Sequence, residues 1–136
     1  MQLATSRDFL KVALQRLDAA EHIMAKLLLN LESQYIGGYS LECSLKALIL
    51  HYTAEMDQMD VLKDLTRGAN NHRPEVLLNR LRQHGIMLSI ELAKRMRRFD
   101  WTTDLRYETG RRDTGETKGL LRTVRAVYEW AEGQMT

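Results

Sequence analysis

The sequence predicts an all-α fold, an up-and-down bundle of four to five helices, from three observations. Pro74 is the only proline in 136 residues. Almost no stretch alternates apolar and polar residues as a half-buried strand does. Apolar residues recur instead at spacings of three and four along most of the chain, which places them on one face of a 3.6-residue helix. A chain of this length buries about two-thirds of its unfolded surface, so residues 1–136 are expected to form one domain with one core.

Each element has its own signature. The first helix, about residues 6–29, carries Leu10, Ala13, Leu17, Ala20, Met24 and Leu27 in one stripe, with Ser6 as its expected N-cap and Asp8 in its first turn. The second runs from about Glu32 to Ala54 on a stripe of Tyr35, Gly38, Leu41, Leu45, Leu48 and Ile49. Gly37 and Gly38 stand inside it, and each costs a helix interior roughly 1 kcal/mol relative to alanine. Close approach of a second helix would recover that loss, since a missing side chain lets two backbones near each other. The alternative is a break or a ligand contact at these two positions.

Val61, Leu62 and Leu65 form a short apolar patch ahead of a loop at "RGANN". A third helix restarts near His72. Pro74 suits its first turn, where a missing N–H costs nothing, Val76, Leu77, Leu78 and Leu81 face inward, and Gly85 ends it. A fourth helix, about Ser89 to Phe99, is basic through Lys94, Arg95, Arg97 and Arg98. The polar connection "DWTTDLRYETGRRDTG" follows. The fifth helix starts after Asp113 or Thr114 and carries Leu120, Leu121, Val124, Val127, Tyr128 and Ala131.

Net charge is +2, but it is unevenly placed: residues 1–66 sum to −3 and residues 67–136 to +5. The basic half suits a phosphate-bearing or acidic partner, or simply a solvated surface. The single Cys43 excludes an internal disulfide and a cysteine-based zinc site, and it fits a reducing, cytoplasmic setting. No apolar stretch approaches the roughly 20 residues that cross a bilayer. His51 and Glu55 are metal-ligand types at helical spacing, but two ligands do not make a site, so neither a metal nor another cofactor is expected.

The run "GGYSLECSLKALI", residues 37–49, resembles the second-helix signature of HEPN domains. "NHRPEVLLNRL", residues 71–81, is similar to the start of that family's third helix, with Pro74 and Glu75 as departures. "WTTDLRYETG", residues 101–110, resembles the Arg-Tyr segment ahead of the last helix in many members. The resemblance implies a bundle of four or five helices, usually a homodimer, whose roles range from metal-independent RNA cleavage to binding of a nucleotide or a protein partner. Many prokaryotic members accompany a small nucleotidyltransferase as half of a toxin–antitoxin pair.

The family's ribonucleases carry Arg, four to six residues, then His near the start of the last long helix. A histidine can take a proton from a ribose 2′-OH while arginine stabilises the phosphorane charge. Arg67 and His72 have that spacing, as do Arg16 and His22, and about one such match is expected by chance in a chain with this many arginines. No histidine follows the arginines of residues 97–112, where the resemblance would place it.

Two other features bear on binding. Glu42 and Lys46, four apart, make either an ordinary intrahelical ion pair or one wall of a polar cleft reached by Asp104 or Tyr107. Trp101, Tyr107, Arg106 and the neighbouring charges could stack a base and neutralise phosphate, or fasten the connection to the bundle. The leading expectation is a non-catalytic module, homodimeric as the resemblance implies, that binds a nucleotide, RNA or a nucleotidyltransferase through Glu42, Lys46, Arg98, Asp104, Arg106 and Tyr107. The alternatives are a metal-independent ribonuclease toxin using Arg67 and His72, and a structural homodimer without a ligand.

Overall fold

Thr5 and Asp8 open the first helix by capping each other. In the computed structural model, which describes residues 4–67, 72–99, 101 and 109–136, the Asp8 amide donates to Thr5 Oγ1 and the Thr5 amide donates to Asp8 Oδ2, both at 3.1 Å. This reciprocal box satisfies two of the helix's unpaired N–H groups, so the cap is Thr5 and not the expected Ser6. Helix α1 then spans Ser6–Leu27 and buries Leu10, Ala13, Leu17 and Ala20. Leu27, at the end of the expected stripe, is 62% exposed, because α1 stops there: Leu28 turns into the left-handed region, φ 53°.

Only Leu28 and Leu29 separate α1 from α2, Asn30–His51. The start of α2 lies two residues before the expected Glu32, and its end three before the expected Ala54. Every residue from Ser40 to Leu50 is buried, since α1, α6 and α4 all pack on this helix, with α3 touching it as well. A helix covered on all sides need not carry a one-sided stripe, and Tyr35, expected inward, is partly exposed.

Helix α6, Thr114–Gln134, is capped by Asp113, whose Oδ2 accepts the Glu116 amide at 2.8 Å. It runs beside α2 in the same direction. Gln34 donates to Thr117 Oγ1, Gly37 lies against Leu120 and Leu121, and Tyr52 reaches Gln134, so each step along α2 meets a later step along α6. Helix α1 runs the other way, with Ser40 Oγ donating to the Ala13 carbonyl at 2.6 Å. Up-and-down order therefore holds for α1 and α2, whereas the α2–α6 pair is parallel because the intervening elements carry the chain back.

Gly37 answers the question its position raises. A Cβ built there would lie 2.7 Å from Leu121 Cδ2 and 3.3 Å from Leu120 Cδ2, so the glycine lets α6 approach. Gly38 has ordinary room, its nearest neighbour being Trp101 at 3.9 Å.

The apolar patch at Val61, Leu62 and Leu65 is a helix in its own right, α3, Gln58–Leu65, preceded by a 3-10 turn at Glu55–Asp57. It raises the count to six α-helices among the described residues, above the expected four to five. Helix α4, Pro74–Gln83, begins on Pro74 and ends on Gly85, φ 77°. There the Ile86 amide donates to the Leu81 carbonyl and the Gly85 amide to the Arg82 carbonyl, which closes the helix end on a left-handed residue that only glycine adopts without strain. Helix α5, Ile90–Met96, is capped by Ser89 and packs on α6. No described helix is long and apolar enough to cross a membrane.

A buried ion pair meets a half-exposed histidine

Helix α2 places Glu42 and Lys46 on one side, one turn apart, in its fully covered stretch. Lys46 Nζ donates to Glu42 Oε2 at 2.8 Å, with the two side chains 5% and 8% exposed. The ion pair read from the spacing is made, but it is not the surface pair worth a few tenths of a kcal/mol. Removing both charges from water costs several kcal/mol per ion, and mutual attraction recovers this only with good geometry and further hydrogen bonds.

The further bond comes from the start of α4. His72 Nδ1 lies 3.1 Å from Glu42 Oε1 and 3.2 Å from Oε2. A carboxylate that accepts from an ammonium is an acceptor only, which assigns the proton to Nδ1 and makes His72 the donor. In the neutral ring the lone pair then sits on Nε2. His72 is the exposed member of the trio, its side chain 42% accessible. A buried carboxylate bonded to one ring nitrogen of a half-exposed imidazole is an arrangement used by histidines that take and return protons, because the carboxylate fixes the tautomer and the ring orientation.

The other predicted residues divide sharply. Arg67 is exposed just beyond α3, five positions ahead of His72 in the chain. Arg98 is exposed past the end of α5 and takes no part in the Glu42 cluster. Asp104, Arg106 and Tyr107 lie outside the described residues. Lys46, expected to line an open cleft, is buried against Glu42. His22, His51 and His84 are all exposed, in keeping with surface roles. Trp101 is fastened: its indole N–H donates to the Met96 carbonyl at 2.7 Å and its ring meets Phe99 edge to face at 5.8 Å.

Cys43, next to Glu42 in sequence, is buried, and burial pushes its thiol up to about 12, so it is not a thiolate nucleophile at neutral pH. The described residues contain no group of three or more metal-ligating side chains suited to a metal ion. The approach of His72 to Glu42 was not readable from the sequence, because the two lie 30 positions apart. The only hint was a charged pair set in an otherwise apolar run. Compared with family models, with curated proteins and with solved structures, the chain matches none.

Proposed function

We propose that this chain is a HEPN-like, metal-independent ribonuclease in which His72, held by Glu42, moves the proton. The observation that carries this reading is the double approach of His72 Nδ1 to a buried carboxylate already neutralised by Lys46. In the reaction, His72 Nε2 takes the proton of a ribose 2′-OH. The 2′ oxygen forms a bond to phosphorus, the bond to the 5′ oxygen breaks, and a 2′,3′-cyclic phosphate and a 5′-hydroxyl result. The imidazolium is the acid that protonates the departing 5′ oxygen. Arg67 supplies positive charge to the crowded phosphate. Lys46 is buried against Glu42 and bonds its carboxylate, and so acts through Glu42 and not on the substrate.

Incubating the purified chain with RNA in the presence of a chelator tests this. Cleavage that ends in 2′,3′-cyclic phosphate and falls by about 10²–10⁴-fold in His72→Ala is the expected result. Intact RNA with the wild-type chain would exclude it. A second reading is the non-catalytic module for a nucleotide, RNA or nucleotidyltransferase in a toxin–antitoxin pair. It is favoured by the absence of histidine from residues 97–112; binding of RNA without cleavage would select it.

A further inference from the structure

We propose that the groove between α4 and α5 is a subsite for one nucleotide, with the base against Trp101 and the phosphate at Arg97. This deepens the ribonuclease reading, on which its role beside His72 rests. The groove is a cavity of about 290 Å³, close to the small end of ligand sites, which run from roughly 300 Å³ upward. That volume suits one planar ring with its substituents better than a folded peptide.

The lining defines the chemistry. Leu78, Ala93 and Met96 make an apolar floor, and Phe99 and Trp101 close one end. Trp101 cannot swing freely, because its N–H is tied to the Met96 carbonyl and its ring is braced by Phe99. A ring fixed in advance lowers the ordering cost of stacking a ligand on it.

Charge narrows the choice. Arg82 lines the groove with its guanidinium held by Asn79 Oδ1 at 2.8 Å. Arg97 also lines it, exposed and with no ion-pair or hydrogen-bond partner for its guanidinium among the described residues. Glu75 is part of the lining as well. A bare phosphate would meet this carboxylate as a repulsion, whereas a base offers N–H donors to the carboxylate and carries its own phosphate to the arginines. Pro74 belongs to the lining and follows His72 by two residues, so their Cα atoms stand within about 7 Å. A nucleotide seated here lies beside the chain segment that carries His72.

The test uses the full chain carrying His72→Ala, so that binding is measured without turnover, and Trp130→Phe, so that Trp101 reports alone. Adenosine, guanosine and uridine 5′-monophosphates, ribose 5-phosphate and inorganic phosphate are titrated separately. Nucleotides should change Trp101 fluorescence, and ribose 5-phosphate should bind at least about tenfold more weakly for want of a stacked base. Arg97→Ala, an exposed change that leaves folding intact, should weaken nucleotide binding by about tenfold. Ala93→Leu, which fills the floor, should weaken it further.

Equal binding of inorganic phosphate and nucleotide, or nucleotide binding indifferent to both Arg97→Ala and Ala93→Leu, would overturn the subsite. The two proposals fail separately. Arg97-dependent nucleotide binding in a chain that cleaves no RNA keeps the subsite and removes the ribonuclease. RNA cleavage by the wild-type chain with no nucleotide response at Trp101 does the reverse.

Discussion

Two clusters of charge hold helices together in this molecule, and they differ in what surrounds them. On the α1–α6 side, Arg125 bonds both Asp18 and Glu21. All three side chains there are a third or more exposed, and the carboxylates hold the guanidinium above its ordinary range, its hydrogen bond to Glu21 being the largest cause. Water screens such a cluster, so it fixes the relative position of two helices and adds little net stability. On the α2–α4 side, Glu42 and Lys46 sit in a stretch of helix covered from all directions, and only His72 reaches the surface. The comparison teaches that a charged pair is costly where a leucine pair would serve, so the buried cluster calls for a use beyond cohesion.

Breaking the buried cluster at its centre should have the largest effect. Glu42→Ala leaves the Lys46 ammonium without its partner in a dry site and should destabilise the fold by about 3–5 kcal/mol in urea or thermal unfolding. The double change Glu42→Leu with Lys46→Leu removes both charges and should restore most of that loss while leaving the chain unable to cleave RNA. If the double variant is as unstable as the single, the pair is serving cohesion and the contrast between the two clusters collapses.

Next in size is His72→Ala, expected to reduce RNA cleavage by about 10²–10⁴-fold. Because His72 supplies a hydrogen bond to the buried Glu42 carboxylate, the same change should also lower the unfolding free energy by about 1–3 kcal/mol, less than Glu42→Ala does. A large loss of stability with unchanged cleavage would make His72 a structural cap.

Packing offers a smaller contrast, one residue apart on α2. Gly37→Ala drives a methyl against Leu121 and should destabilise by about 1–2 kcal/mol, overpacking outweighing the gain in helix propensity. Gly38→Ala meets only ordinary contact and should stabilise by up to about 1 kcal/mol. Thermal unfolding of both variants side by side measures the difference; equal shifts would show that α6 does not press on Gly37. Smallest of all, Arg125→Ala should cost under about 1 kcal/mol and less still in high salt, as denaturant titrations at two ionic strengths would show. A loss above 2 kcal/mol there would place the exposed cluster in the same class as the buried one.

Much of the helical frame was legible in the sequence because its signals are local. Ser89 and Asp113 cap the helices they were expected to open or adjoin, and Gly85 ends α4. Gly37 was legible as a close approach because its helix cost had no local remedy. Helix α3 shows in the sequence only as an apolar patch because eight residues make little more than two turns, too short for a periodic signal. The site was harder to read for a physical reason. Four-residue spacing reveals that Glu42 and Lys46 face each other, but not that three other helices cover them, and nothing local brings His72 to them. Of the expected binding set, Lys46 bonds Glu42, Arg98 is exposed, and Asp104, Arg106 and Tyr107 lie outside the described residues.

The two-residue link at Leu28 and Leu29 sets an order of assembly. Helices joined so closely close a very small loop, so α1 and α2 can pair soon after both leave the ribosome. Helix α6 meets α2 across more than 80 positions, as from Gln34 to Thr117, and must wait for the rest of the chain. Until it arrives the groove around Gly37 stands open, an apolar slot whose natural tenant is made more than 60 residues later.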